Sequence, residues 1–326
     1  MKRREFITFV GAAAAWPLTA TAQQQVKVRR IGLLSGGSQV ATSRLSGAFV
    51  QGMAELGYSE GKDFVLEWRS VEGQYERIPE VLIEFLQLNV DVIVTGLSAS
   101  LPILKRTINK IPIVMAYSTD PVGTGLVASL DRPGGNMTGL ASLSEDTSPK
   151  QLELLRTVMP DASRIGVLGN PNSNNYAPVL KSAQMAAGKA GLTLLPVEVR
   201  NAQDIDGAFV SFAKERINAA IAVGDAVLFT NQQRIAELAI ANRVAMMFPQ
   251  REFVAAGGLM SYGENLADFF RRAATYVDKI FKGAKPGELP IDQPTRFNLV
   301  INRKTADTLG IAIPAQLYIF ADEVID

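Results

Sequence analysis

The sequence predicts an α/β fold of two doubly wound parallel-sheet lobes joined by a hinge of three chain crossings. Past residue 27, short apolar β-branched runs alternate with longer amphipathic stretches, the pattern of parallel strands covered by helices. The runs fall into two sets of four in near-constant register. Ile31 and Ile165, Phe64 and Leu194, Val92 and Ile221, and Ile113 and Ala245 are separated by 134, 130, 129 and 132 positions. The chain then continues past the second set, as it must if it crosses back between the lobes.

In order, the first set predicts strands over residues 31–34, 64–68, 90–95 and 111–115, and the second over 165–168, 192–197, 219–223 and 244–248. Ile78, Leu82, Phe85 and Leu86 recur at helical spacing, as do Leu266, Phe269, Phe270, Ala273, Val277 and Phe281. Both stripes read as faces packed on a sheet. Arg132-Pro133-Gly134-Gly135-Asn136 reads as a tight connection, and Gly283 with Lys285-Pro286-Gly287 ends a helix over 264–282. A strand over 297–301 and a short helix over 304–309 follow. Crossings near residues 141, 264 and 291 then define a first lobe of 27–140 plus 265–290 and a second of 141–264 plus 291–326.

The N-terminus carries a different signal. Lys2, Arg3 and Arg4 precede a short apolar run, which closes on Ala20-Thr21-Ala22. A basic start, an apolar stretch too short for a bilayer and a small-x-small end predict a secretory signal peptide cleaved after Ala22. Arg3-Arg4 before Glu5-Phe6-Ile7 also resembles a twin-arginine export signal. The expected location is the periplasm, with no membrane insertion of the mature chain. The absence of cysteine removes both disulfides and a lipidated start, so a large packed core must hold the fold. The absence of histidine excludes Ser-His-Asp and Cys-His catalysis and every His-ligated metal site. Near-neutral charge argues against nucleic acid as a partner. No cofactor motif is evident: Ser35-Gly36-Gly37-Ser38 lacks the Gly-Lys-Ser/Thr of a P-loop and is not a GxGxxG fingerprint.

In open parallel sheets, ligands bind beyond the carboxyl ends of the strands at the switch point of strand order. That rule selects the loops after strands one, three and four of each set. In the first set these are Ser35–Ser38, the run Gly96-Leu97-Ser98-Ala99-Ser100, and Tyr117-Ser118-Thr119-Asp120. In the second they are 170–175, Gly224-Asp225 and Pro249-Gln250-Arg251-Glu252. Gly96–Ser100 turns from strand to helix, where Ser98 either caps the helix or joins free N–H groups in holding an anion. Asp225 either caps the next helix or faces a ligand ammonium. Asn172–Asn175 is a solvated turn or a hydrogen-bonding surface. An anion-friendly helix start opposite one carboxylate has the polarity of a zwitterion site.

Several segments then resemble one family. They are Gly52-Met53-Ala54-Glu55-Leu56-Gly57-Tyr58-Ser59-Glu60-Gly61-Lys62, Asp120-Pro121-Val122, and Arg132-Pro133-Gly134-Gly135-Asn136-Met137-Thr138-Gly139. Three more are Ala255-Ala256-Gly257-Gly258-Leu259-Met260-Ser261-Tyr262-Gly263, Tyr276 to Pro286, and Leu299-Val300-Ile301-Asn302. In this order they are similar to ABC-transporter substrate-binding proteins of the tryptophan/tyrosine type, over residues 31–326. The resemblance implies a type I periplasmic binding protein that delivers a small solute, an amino acid or aromatic acid, to an ABC permease in the inner membrane. It puts Ser98, Ala99 and Ser100 on the solute carboxylate and Asp225 on its amine, with Tyr117, Asp120 and Asn174 lining the pocket. Ser35, Asn170, Asn172 and Tyr262 complete the expected ligand-binding set.

The function expected is therefore solute capture by lobe closure, without catalysis. A ligand-sensing module for a membrane receptor is the alternative that the same fold would serve. A periplasmic enzyme built on carboxylates such as Asp120 and Glu252 is a third class, which no residue spacing supports.

Overall fold

A computed structural model of the protein describes residues 28–142 and 147–326. The expected signal peptide lies outside the described residues. In chain order the elements are β1 (Arg29–Ser35), α1 (Gln39–Glu55), β2 (Phe64–Ser70), α2 (Ile78–Gln87), β3 (Val92–Thr95), α3 (Leu101–Thr107), β4 (Ile113–Met115) and β5 (Met137–Gly139). There follow α4 (Ser148–Val158), β6 (Arg164–Gly169), α5 (Tyr176–Ala190), β7 (Thr193–Glu198), α6 (Asp204–Lys214), β8 (Ala219–Ala222), α7 (Ala226–Thr230), α8 (Gln232–Ala241), β9 (Ala245–Phe248) and α9 (Arg251–Ala255). Last come β10 (Met260–Glu264), α10 (Leu266–Phe281), β11 (Phe297–Asn302), α11 (Arg303–Leu309), α12 (Ala315–Phe320) and β12 (Glu323–Ile325).

The strands form two sheets, ordered β2-β1-β3-β4-β5 and β12-β11-β10-β9-β8-β6-β7. Renumbered from its own first strand, each sheet begins with the same doubly wound order, 2-1-3-4-5, in parallel register. The even spacing of the two sets of runs thus reflects one topology used twice. The antiparallel pairing of β10 with β11 extends the second sheet alone. Wholly buried strands such as Val92–Thr95 and Ala219–Ala222 read as continuous apolar runs because helices cover both of their faces.

Three strands have no counterpart in the sequence reading: β5, β10 and β12. Predicted β3 also began earlier, at Val90. Asn89 instead turns with φ of 51° at the end of α2, and pairing starts only after the Asp91 carboxylate accepts the Arg30 N–H at 2.8 Å.

The chain passes between the sheets three times. It leaves β5 for α4 and β6, leaves β10 for α10, and returns through Ile291 and Asp292 to β11. Helix α10 lies on the first sheet, where its apolar stripe of Phe269, Ala273 and Val277 is buried. It packs closely on α1, and a Cβ at Gly52 would collide with the Arg271 carbonyl. At the hinge, Leu140 bridges to Asp292 and the buried Ser142 Oγ donates to Glu264 Oε2 at 2.8 Å. Among the described residues no helix is long and apolar enough to cross a membrane.

Candidate functional site

The carboxyl ends of β1 and β3 face those of β6 and β8, and a cavity of about 110 Å³ lies between them. That holds roughly eight water-sized groups, the scale of a small organic solute. Both lobes line it: Ser35, Gly36, Gly37, Tyr75, Gly96, Ser98, Ala99 and Tyr117 from the first, and Ser173, Asn175, Gly224, Asp225, Phe229 and Gln250 from the second. Leu45, Leu266 and Phe270 give it apolar surface.

On the first lobe, the β1–α1 loop is fixed from within. Ser35 Oγ donates to the Gly37 carbonyl at 3.1 Å and to Thr42 Oγ1 at 3.3 Å, and Ser38 caps α1 by accepting the Ala41 N–H. Ser35 therefore lines the cavity with its hydroxyl committed to the loop. After β3, Thr95 Oγ1 accepts the Leu97 N–H at 3.0 Å, and a single 3₁₀ turn, Ser98–Ser100, leads into α3. The turn separates its two serines. Ser100 is fully buried and donates back to the Leu97 carbonyl at 2.6 Å, away from the cavity. Ser98 caps nothing; its buried Oγ lacks a hydrogen-bond partner and belongs to the cavity wall. The N–H groups opening the turn have no acceptor within it.

Tyr117 lines the cavity with its ring tilted on Phe269 at 5.9 Å between centroids. Asp120 does not. It is exposed, adopts φ of 39°, and closes a turn by accepting the Gly123 N–H at 2.8 Å.

On the second lobe a polar network surrounds Asp225. Its Oδ1 accepts the Val227 N–H at 2.8 Å, which caps α7, and Asn170 Nδ2 at 3.2 Å. Asp225 is thus the N-cap of α7 and also part of the cavity wall. Asn170 stands behind it, buried and outside the lining. The Asn-rich loop is out of phase with the expectation. Asn172 and Asn174 are exposed, whereas Ser173 and Asn175 face inward, linked at 2.6 Å, with Asn175 Nδ2 donating to the Gly224 carbonyl at 2.8 Å. Gln250 Oε1 is buried without a partner. Tyr262 lies in β10, away from the cavity; its carbonyl accepts Gln151 Nε2 at 2.7 Å and its ring tilts against Phe297.

The lobes touch. Tyr75, from the segment after β2, donates its hydroxyl across the cleft to Asp225 Oδ2. Arg44 of α1 pairs with Glu252 of α9 at 2.7 Å. A Cβ on Gly36 would stand 2.7 Å from the Ala226 Cβ, and one on Gly73 would stand 3.3 Å from Val227. Burial raises the Asp225 carboxyl above its ordinary value, against the opposing pull of hydrogen bonds from Tyr75, Asn170 and the Val227 and Leu228 backbone. Burial and the Asp225 charge in turn push the Tyr75 hydroxyl far up, so it remains a donor. No lysine or arginine lines the cavity among the described residues. Neither Asp120 nor Glu252 lines it, so the carboxylate pair considered for catalysis is not assembled there.

Sequence reasoning missed Tyr75 because it took loops after strands one, three and four alone. It also assigned Leu266 and Phe270 wholly to packing, whereas both contribute to the cavity surface.

The family model for ABC transporter substrate binding proteins matches residues 32–325. The chain belongs to that family. A tyrosine-binding protein of Clostridioides difficile (strain R20291) is 23% identical over 286 residues, covering 87% of this chain and 82% of that one. The crystal structure of a conserved domain protein from Vibrio cholerae O1 biovar El Tor strain N16961 superimposes with a TM-score of 0.85 at 26% identity, covering 91% of this chain and 100% of that one. An ABC domain from Streptococcus pneumonia, crystallised in complex with L-Trp, gives a TM-score of 0.83 at 24% identity with the same coverage. The two-lobed architecture is that of type I periplasmic binding proteins.

Proposed function

We propose that this substrate-binding protein works in the periplasm, taking up a small carboxylate-bearing solute, an amino acid or aromatic acid, and presenting it to an ABC permease for import. The observation that carries the reading is the polarity of the cavity. Its first-lobe wall offers the unpartnered Ser98 hydroxyl and a helix start; its second-lobe wall offers the Asp225 carboxylate, and no basic residue lines the cavity among the described residues. A solute carboxylate at Ser98 and Ala99 would accept N–H and O–H bonds, and an α-ammonium at Asp225 would supply the missing counter-charge. Leu45, Phe229, Leu266 and Phe270 would receive an apolar or aromatic side chain. The relatives named for tyrosine and L-Trp support this choice of solute class. We take the lobes as 27–140 plus 265–290 and 141–264 plus 291–326, consistent with the packing of α10 on α1 and of β11 in the second sheet.

Native mass spectrometry of the purified protein, followed by calorimetry with L-tryptophan, L-tyrosine and their deamino analogues, tests the reading. Stoichiometric binding of an amino acid is expected, with the deamino acid weaker. Asp225→Ala should lose about 2–5 kcal/mol of amino-acid affinity, at least about 30-fold. Full affinity in that variant would overturn the amine-binding role.

A further inference from the structure

We propose that Tyr75 is a positioning residue that latches the lobes, acting through the Asp225 carboxylate to set the balance between open and closed protein. Tyr75 follows β2 of the first lobe, and Asp225 follows β8 of the second. Their hydrogen bond can exist only when the cleft is shut. It forms over a seat made for close approach: Gly36, Gly37 and Gly73 of the first lobe meet Ala226, Phe229 and Val227 of α7, at distances where a side chain at Gly36 would strike Ala226. Asp225 is held at the mouth of α7 by the Val227 N–H and by Asn170, leaving Oδ2 aimed at Tyr75.

Strength also favours this contact over the bridge between Arg44 and Glu252. Arg44, which reaches the buried Glu252, is itself 43% exposed, so solvent screens one end of that pair. The hydroxyl–carboxylate bond is charge-assisted and sheltered, the kind that contributes most. Tyr75 lines the cavity, and the role proposed for it is the bond to Asp225 rather than a contact with the solute. Its effect is to stabilise the closed form whatever the solute is, so the latch stands independently of the amino-acid reading.

The chain has no cysteine, so spin labels can be placed cleanly at exposed sites on either side of the cleft, Glu80→Cys in the first lobe and Gln233→Cys in the second. Pulsed electron–electron resonance on the solute-free protein then reads the inter-lobe distance. Tyr75→Phe keeps the ring and removes only the hydroxyl, and should raise the open-to-closed ratio about tenfold or more. Asp225→Ser keeps an N-cap acceptor for Val227 and withdraws the oxygen that Tyr75 reaches; it should open the lobes too. In the double variant the two effects should not add, because each breaks the same bond. An unchanged distance distribution in Tyr75→Phe would overturn the latch, and so would additive shifts in the double variant. Failure of the protein to bind any amino acid would refute the proposed solute class while leaving these distances interpretable.

Discussion

The two walls of the cleft are built at equivalent places on equivalent sheets, yet they do opposite work. The first-lobe wall is mostly backbone and small groups: Gly36, Gly37, Gly96, Ser98 and Ala99. Its glycines let the opposite lobe and the Phe270 ring come close, a Cβ at Gly96 falling 2.8 Å from that ring. On this wall Ser98 Oγ has no partner among the described residues. The second-lobe wall centres on a network in which Asn170, Val227 and, from across the cleft, Tyr75 converge on Asp225 while Ser173 and Asn175 brace Gly224; Gln250 Oε1 stands outside it without a partner. One wall supplies shape and an open hydrogen-bonding position; the other supplies oriented charge. Duplication of a topology therefore fixes where a site lies, and the residues at each strand end decide what that half of the site does.

Substitutions on the two walls should differ in how they depend on the solute. Asp225→Ala, the largest effect expected, should fall on amino acids far more than on their deamino analogues. Gly36→Val attacks shape instead. Its side chain would collide with Ala226 in the closed protein, and overpacking of this kind costs about 1–3 kcal/mol. Calorimetry across the same solutes should show losses of similar size, about 5- to 150-fold, for those with and without an amine. A loss confined to amino acids would mean that the first wall also reads charge, and the contrast between the walls would fail.

Ser98→Ala should be milder. Removing one hydroxyl from a solute carboxylate, with backbone N–H groups still present, should lower affinity by about 1–1.5 kcal/mol, roughly tenfold. The matching Ser100→Ala variant provides the contrast, since Ser100 turns back on Leu97. If the two serines exchange roles, with Ser100→Ala costing the affinity, the assignment of the free hydroxyl to Ser98 is wrong.

These two serines also show where sequence legibility ends. Strand alternation and repeated spacing revealed two lobes because burial on both faces of a parallel sheet writes long apolar runs. The strand-end rule then pointed to Ser98, Tyr117 and Asp225, all of which face the cavity. It could not separate Ser98 from Ser100, nor Asn174 from Asn175, because a one-residue phase in a turn has no hydrophobic pattern to record it. Tyr75 was hidden for another reason. It matters only because two distant segments meet, and nothing local to residues 73–77 encodes Asp225 opposite. Short strands such as Met137–Gly139 escaped because three residues are too few to show a period.

The smallest expected effect is on the pH dependence of stability, and here Asp225 and Glu323 should differ in sign. Burial raises the Asp225 carboxyl above its ordinary 3.8, so the folded protein keeps a proton that the unfolded chain has already released. Stability from this group therefore falls as pH rises from about 3.8 through the raised value, and is recovered on acidification. Glu323 is the reverse case. Its hydrogen bond from Arg251 lowers its carboxyl below the ordinary 4.5, giving stability that is present above that value and lost as pH falls through the lowered one. Urea unfolding of the solute-free protein between pH 3 and 7 should show the Asp225→Asn variant gaining most, relative to the parent, at the upper end of the range. The Glu323→Gln variant should lose most there. Saturation with an amino acid should shrink the Asp225 difference, because the ligand ammonium favours the ionised carboxylate. A deamino acid should leave it standing. If both solutes shrink it equally, Asp225 is answering to closure alone and not to the amine.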